Sequence, residues 1–401
     1  LAIARKVERL GLVGAGIMGG GIAWLAAEKQ LPTRIKDIAP SALESALRTA
    51  AELWEEAVKK RRLTSRERQA RVESLSFGLD LSGFAVTDLV IEAVVEDLAV
   101  KRRVLAELEN VVSPLTVLAT NTSSLRVADL ARDCRHPERV VGLHFFNPVH
   151  RMPLVEVVIG PQSSPEAVTT AFRLARDLGK TPVLVRDGPG FLVNRLLAFY
   201  LGEAIHAFEE GVDPVLVDGT MVEFGMPMGP FELLDQIGLD VANKVTHVLQ
   251  DAFGERLPGQ AVIGRLLEAG DLGKKSGRGF YVYANGRKSG VSEAALQAAG
   301  RPIVRTPPGQ EILDRLLLPM IHEGARALEE GLVRRAEDID LAMVLGTGFP
   351  PFRRGPLFYA DRRGIPAVIG RLEDLAAAHG SRLAPSEALH CRAEGFYKPA
   401  G

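Results

Sequence analysis

Two ionisable residues sit inside otherwise apolar runs: His144 in Val140–Phe145 and Glu156 in Leu154–Ile159. If these runs are buried strands, each residue needs a partner. A hairpin-like or kinked connection through the polar loop between them sets the carboxylate beside the imidazole. The pair is then a histidine base whose tautomer is fixed and whose cation is stabilised. Taken alone, the two residues also fit a core histidine satisfied by a nearby acid, so the rest of the chain has to decide.

A second constellation is Gly14-Ala15-Gly16-Ile17-Met18-Gly19, entered from the apolar run Val7–Val13 and followed by a helical pattern through Ala27. A GxGxxG turn between strand and helix is the context of a dinucleotide site. Gly14 permits the tight turn, Gly16 lets the backbone approach a pyrophosphate, and Gly19 lets helix and strand pack closely. The helix start offers N–H groups and the positive dipole end to the phosphates. A second strand, Pro32–Lys36, ends at Asp37. A carboxylate there holds both ribose hydroxyls and repels a 2′-phosphate, which favours NAD over NADP. The alternative is a βαβ unit whose glycines serve packing alone.

Ligands of doubly wound sheets lie at strand carboxyl ends. Val95 and Glu96 follow the strand Asp88–Ala93, with Lys101 in the next helix, and Ser123 follows the strand Thr116–Thr120. Glu96 and Lys101 also read as solvated helix-start charges, and Asn121–Ser124 as an N-cap for a helix from Leu125. Asn194, in the first turns of a helix over Phe191–Glu210, can bond a carbonyl or hydroxyl at a domain cleft, or simply its own backbone.

The elements that must position these groups alternate strand and helix up to a last strand at Pro182–Val185, which predicts an α/β parallel sheet. Past Asp187-Gly188-Pro189-Gly190 the periodicity becomes helical. Gly273–Tyr281 is a glycine-rich loop without strand–loop–helix context, read here as structural. The helical part then repeats itself. Asn194-Arg195-Leu196-Leu197 is echoed by Asp314-Arg315-Leu316-Leu317, and Glu209-Glu210-Gly211 by Glu329-Glu330-Gly331. Gly229-Pro230 with Asp235 and Gly238 returns as Gly355-Pro356 with Asp361 and Gly364. Asn285–Gly309 between the copies reads as a linker. The expected domains are 1–187, 188–288 and 311–401, with a linker at 289–310. One helical copy works and the other supports it. A tethered second copy supplies the surface a dimer mate would, so the chain is expected to be pseudo-dimeric and monomeric.

The bulk numbers exclude several classes. Lys plus Arg is 49 and Asp plus Glu is 50, for a net charge of −1, which argues against nucleic acid as a partner. Cys134 and Cys391 match no metal or redox spacing, so no metal is expected and the compartment is reducing, by default the cytoplasm. No run reaches the length of a membrane span. Leu1 in place of Met suggests a piece of a longer chain or a processed product. Arg5, Lys6 and Arg9 read as a linker tail rather than a transit peptide, and Lys398–Gly401 is not a peroxisomal address.

Together these residues resemble the 3-hydroxyacyl-CoA dehydrogenase family across nearly the whole chain. The matching stretches are GAGIMGGGIA from Gly14, EAVVED from Glu92, NTSSL from Asn121, GLHFFNPVHRMPLVEV from Gly142, GPGFLVNRLL from Gly188 and PMGPFELLD from Pro227. The resemblance implies a Rossmann-type NAD-binding domain followed by two tandem all-α C-terminal domains. It implies oxidation of an L-3-hydroxyacyl-CoA in fatty-acid β-oxidation, with His144 as base and Glu156 orienting it. Ser123 and Asn194 match partners of the substrate oxygens, Met18, Glu96, Lys101 and Asn147 match positions lining NAD, and Tyr359 matches a substrate position. The duplicated tail resembles the dehydrogenase part of multifunctional enzymes, which implies an upstream enoyl-CoA hydratase domain and a thiolase partner. Arg353-Arg354 departs from a glycine-rich turn common in the family, which bears on the Tyr359 loop. The rivals are another NAD-dependent β-hydroxyacid dehydrogenase, where a lysine usually serves as acid/base, and a non-catalytic relative, which would have lost His144, Glu156 or Asn194.

Overall fold

Eight short strands of the computed structural model form one sheet in the order β3-β2-β1-β4-β5-β6-β7-β8. They are β1 (Leu10–Val13), β2 (Thr33–Lys36), β3 (Leu75–Gly78), β4 (Leu89–Glu92), β5 (Val117–Thr120), β6 (Val140–Phe145), β7 (Leu154–Ile159) and β8 (Thr181–Arg186). The structure describes residues 4–397, so the expectations resting on Leu1 and on Lys398–Gly401 lie outside the described residues. The chain divides into two units between Phe191 and Leu192, and the sheet belongs to the first.

The pairings from β3 through β6 are parallel, but β7 runs antiparallel to β6, and β8 follows β7. The all-parallel expectation is therefore corrected at one edge. The reason is chain length. A parallel return needs a crossover of about a dozen residues or more, and 146–153 is too short for one.

Helices α1 (Ile17–Glu28), α2 (Pro40–Lys59), α3 (Ser65–Glu73), α4 (Leu98–Glu109), α5 (Val127–Leu130) and α6 (Pro165–Asp177) connect the strands. The core packs Leu12, Ile35, Ile91, Ala119 and Val141 of the sheet against Ile22 and Ala26 of α1 and Ala171 and Leu174 of α6. The α2 helix buries only Leu43, Ala46, Ala50 and Trp54, a single stripe of the kind an amphipathic surface helix shows. The expected linker tail is tied down instead: the N–H groups of Glu8 and Arg9 donate to Asp88 Oδ2 at 2.8 and 2.9 Å.

The second unit is helical apart from a hairpin. Its first half holds α7 (Val193–Glu209), α8 (Pro214–Phe224), α9 (Pro230–Ile237), α10 (Leu239–Phe253) and α11 (Ala261–Glu268). The hairpin β9 (Tyr281–Ala284) and β10 (Arg287–Val291) and the helix α12 (Glu293–Ala299) follow. The segment read as a linker thus carries a strand and a helix. Ala295, Ala298 and Ala299 bury one face of α12, so its small, weakly apolar residues pack although they show no strong period. The second half holds α13 (Gly309–Glu329), α14 (Ala336–Thr347), α15 (Pro356–Arg363), α16 (Ile365–His379) and α17 (Glu387–His390).

The two halves meet through α7 and α13 with reciprocal ion pairs. Arg195 holds Glu330 with two bonds of 2.7 and 3.0 Å, and Arg315 holds Glu210 with two of 2.8 and 2.6 Å. Arg195 Nε also donates to Glu323 at 2.7 Å and Arg315 Nε to Glu203 at 3.2 Å. Contacts in which each partner repeats the other's role are the mark of a two-fold interface, here made within one chain. Turn carboxylates repeat as well. Asp218 accepts from Phe231 and Glu232 N–H at the start of α9, and Asp340 from Leu357 and Phe358 N–H at the start of α15. Asp235 accepts from Phe280 and Tyr281 N–H, as Asp361 does from Phe396 and Tyr397 N–H. Asp235 thereby fixes the end of the glycine-rich loop, which has the structural role read from its sequence. Burial pushes the carboxyls of Asp218, Asp235 and Asp340 up to about 6.

Candidate active site

In the β6–β7 ladder His144 stands directly opposite Glu156. Opposed residues of an antiparallel pair share a face, so register alone brings the two side chains together. Nδ1 of His144 lies 2.7 Å from Oε2 of Glu156. His144 is 5% exposed and Glu156 0%. A carboxylate at Nδ1 fixes the neutral ring with its proton there and Nε2 as acceptor. The rings of Phe146 and Phe191 stand 4.4 and 5.7 Å from the imidazole. Asn121 Oδ1 accepts the Phe145 N–H at 2.9 Å, which ties the end of β5 to the strand that carries His144.

A buried network holds the neighbouring strand ends. Glu92, fully buried at the end of β4, takes Lys101 Nζ at 2.9 Å, the Val94 N–H at 2.7 Å and the Thr120 hydroxyl at 2.8 Å. Lys101 also lies 3.4 Å from Glu96 Oε2. Glu96 Oε1 in turn accepts from the Thr122 hydroxyl at 2.6 Å and the Ser123 N–H at 2.9 Å. Burial pushes the Glu96 carboxyl up, but the Lys101 charge and these hydrogen bonds outweigh it and the net shift is downward. Ser123 is thus placed by Glu96. Lys101, expected at the cofactor, is itself fully buried. Its ammonium is engaged by protein, so the structure makes it a support for Glu92 and Glu96 rather than a surface group. Glu92 escaped the sequence reading, although a charge ending the apolar run Leu89–Glu92 is the kind of signal that singled out His144.

The glycine turn fits a dinucleotide. Gly14 has φ +101°, and a Cβ on it would sit 2.4 Å from the Ala93 carbonyl oxygen. A Cβ on Gly19 would strike the Gly14 carbonyl oxygen, so α1 packs as closely as the motif requires. At Gly16 a Cβ would meet nothing within 4 Å; the open side of the turn lies there, where a pyrophosphate can approach the backbone. No side chain caps the start of α1 and no acid lies in its first turn, so its N–H groups face an anion without competition. Asp37 reaches the same turn: Oδ2 accepts the Ala15 N–H at 2.7 Å and Oδ1 the Ala39 N–H at 2.9 Å. Ile17, Ile38 and Val95 are 82%, 82% and 67% exposed around these strand ends, an apolar rim of the kind that flanks flat rings. Met18 is half-buried against the core.

Three further expected residues lie outside the strands. Asn147 is exposed in the 146–153 connection. Asn194 is in the first turn of α7, and Tyr359 is on α15, both in the second unit. Tyr359 packs edge-on against Phe224, ring centroids 5.3 Å apart. Arg353, from the turn that departs from the family pattern, donates to the Phe224 carbonyl at 3.0 Å and lies 4.1 Å over its ring. The expected N-cap at Asn121–Ser124 is also revised. Helix α5 starts at Val127, and Asp187 accepts the N–H groups of Val127 and Ala128 at 2.9 and 2.7 Å. Among the described residues, no helix is long and apolar enough to cross a membrane.

Comparison with known proteins places this geometry. The family model described as 3-hydroxyacyl-CoA dehydrogenase, NAD binding domain, matches residues 9–188. The model of the C-terminal domain of the same family matches twice, at 190–283 and 312–394. The chain is similar to 3-hydroxybutyryl-CoA dehydrogenase of Escherichia coli, with 31% identity, TM-score 0.87, and 97% of this chain and 98% of that one covered. It is similar to FadB2 of M. tuberculosis, with 41% identity, TM-score 0.67, and 70% and 100% covered. It is similar to the dehydrogenase part of multifunctional enzyme 1 from C. elegans, with 27% identity, TM-score 0.69, and 97% and 90% covered.

Proposed function

We propose, from the premise that this chain belongs to the 3-hydroxyacyl-CoA dehydrogenase family and uses NAD, that it oxidises L-3-hydroxyacyl-CoA to 3-ketoacyl-CoA as a step of fatty-acid β-oxidation. The observation that carries the proposal is the buried His144–Glu156 pair, with Nδ1 2.7 Å from the carboxylate. Nε2 of His144 takes the proton of the C3 hydroxyl. Glu156 stabilises the imidazolium so formed and keeps Nε2 facing the substrate. Ser123, set by Glu96, and Asn194 bond the reacting oxygen. NAD, when bound, would supply the acceptor for the C3 hydride. The turn Gly14–Gly19 and Asp37 hold its pyrophosphate and ribose. Met18, Val95, Glu96 and Asn147 line it, and Lys101 acts through Glu96. Tyr359 contacts the acyl-CoA.

The duplicated tail supports a place within, or beside, a multifunctional β-oxidation enzyme with an upstream hydratase domain and a thiolase partner. The internal two-fold interface supports a monomer. The free thiols Cys134 and Cys391 agree with a cytoplasmic setting.

The test uses acetoacetyl-CoA and NADH. His144→Gln is expected to keep NADH binding, followed by its fluorescence, while turnover falls about 10²–10⁴-fold. Near-normal turnover removes His144 from the role. Glu156→Gln is expected to shift the pH profile of kcat, and an unchanged profile counts against the pairing.

A further inference from the structure

The helices α7 and α13 are the same element in two copies, and they fill the space beside them differently. Gly202 and His206 on α7 correspond to His322 and Arg326 on α13, 120 residues later. In the second copy both side chains close on the segment before α17. His322 Nε2 accepts the Ser386 N–H at 3.0 Å and lies 2.7 Å from its hydroxyl oxygen, and Arg326 Nε donates to that oxygen at 3.2 Å. In the first copy His206 instead borders an open cavity of about 400 Å³, lined also by Glu209, Glu210, Arg265, Arg301 and Arg382.

The charges around this cavity do not cancel. Glu210 is taken up by Arg315 and by Arg305 at 2.9 Å. Glu209 accepts the Val262 N–H at 3.2 Å and faces His206 Nδ1 at 3.4 Å. Arg382 is held by Glu203 at 2.6 and 2.9 Å. Two guanidinium groups remain. Arg265 bonds only the Ala298 carbonyl, and Arg301 has no hydrogen bond or ion pair among the described residues. Nε2 of His206 is buried without a hydrogen-bond partner. An exposed guanidinium without a protein partner among the described residues, Arg301, and a second with donors to spare, Arg265, are the parts of an anion site, because a guanidinium matches the oxygens of a phosphate bidentately.

We propose that this cavity of the first helical copy binds a small phosphate-class anion between Arg265 and Arg301. The site is built wholly from the second unit and is separate from the proposed catalytic residues. Free phosphates and phosphate esters share the chemistry it would read.

The test is calorimetric titration of the enzyme with inorganic pyrophosphate at constant ionic strength. NAD is kept saturating, so that the glycine turn of the first unit is occupied. Saturable binding is expected, weakened about tenfold or more by Arg301→Gln and by Arg265→Gln, with a smaller loss for Arg265→Lys, which keeps the charge but not the fork. Turnover with acetoacetyl-CoA should stay within about twofold in all three, which shows that the variants are folded. Parallel titrations with adenosine 5′-monophosphate and inorganic phosphate separate the sources: tighter binding of the ester than of inorganic phosphate assigns the site to an ester, weaker binding to a free anion. No saturable binding of pyrophosphate, or binding unchanged in Arg265→Gln and Arg301→Gln, overturns the proposal.

Discussion

The two helical copies agree wherever the chain must hold itself together and diverge where one copy is proposed to do chemistry. Arg195 and Arg315 make the same crossed pairs, and Asp235 and Asp361 close the same turn. At the head of the helix the symmetry ends. Asn194 of α7 has Asp314 as its counterpart, and Asp314 is buried between Arg363 and Arg371, with Arg371 Nε at 3.0 Å and the Gln310 amide at 2.7 Å. A position that donates and accepts in one copy is an anion clamped by two cations in the other. Interface and turn residues are constrained by burial in both copies. The helix head is constrained in the second copy by its ion pairs and, in the proposed reading, in the first by substrate.

Removing one cross-pair tests the symmetry most severely. Arg195→Met removes one charged partner from the buried Glu323, which keeps Arg256, and Arg315→Met removes one from Glu203, which keeps Arg382. Each is expected to cost about 1.5–3 kcal/mol in denaturant unfolding, and a large inequality between the two breaks the equivalence. Next in size are the head-of-helix swaps. Asn194→Asp should lower kcat about 10²-fold with little change in stability, since it removes a donor to the reacting oxygen. Asp314→Asn should leave kcat within about twofold and lower stability, because a buried charge pair is broken. If both swaps cost activity equally, the division between a working and a supporting copy fails.

A third comparison uses pH. His322 has no titrating counterpart, because Gly202 takes its place. Burial, with the charges of Arg326 and Arg256, pushes His322 down to about 3. A histidine depressed in the folded state contributes stability that is present above its ordinary value near 6.5 and lost as the pH falls towards 3. The loss amounts to about 2 kcal/mol by pH 5. The raised Asp218, Asp235 and Asp340 act in the opposite sense, since carboxyls raised to about 6 favour the folded state as the pH falls through 6 towards 4. Unfolding curves of His322→Gln should therefore gain about 2 kcal/mol relative to the parent chain as the pH falls from about 6.5 to about 5; parallel curves would place the sensitivity elsewhere. The smallest expected effect is a matched pair. Asp235→Asn and Asp361→Asn should each cost about 1 kcal/mol, since each carboxylate accepts two backbone N–H groups.

Much of this was legible because one principle, a charge inside an apolar run, worked at several places. It located His144 and Glu156, and the strands around them fall at the expected bounds. Applied to Glu92, it would have explained Lys101, which reads as a solvated charge until its buried acid is known. Elements without an apolar rhythm stayed silent. Helix α3 buries none of its residues, and β3 (Leu75–Gly78) has a single buried side chain. The antiparallel edge was readable only through loop length. Nothing in the types around Asn194 or Tyr359 set them apart from ordinary helix residues; only family likeness did so. The cavity beside His206 depends on residues from α7, α11 and the segments after α12 and α16, and no local pattern joins them.

The strand register at His144 and Glu156 also sets what insertions the molecule can absorb. The 146–153 connection can grow or shrink at its tip without disturbing the imidazole, since the ladder and not the loop carries the alignment. One residue added within β7, upstream of Glu156, would turn the acid to the opposite side of the sheet and leave the ring facing Val155 or Val157. Tolerance to length change should therefore switch sharply at the boundary between loop and ladder, and variation among natural relatives should cluster on the outer side of that line.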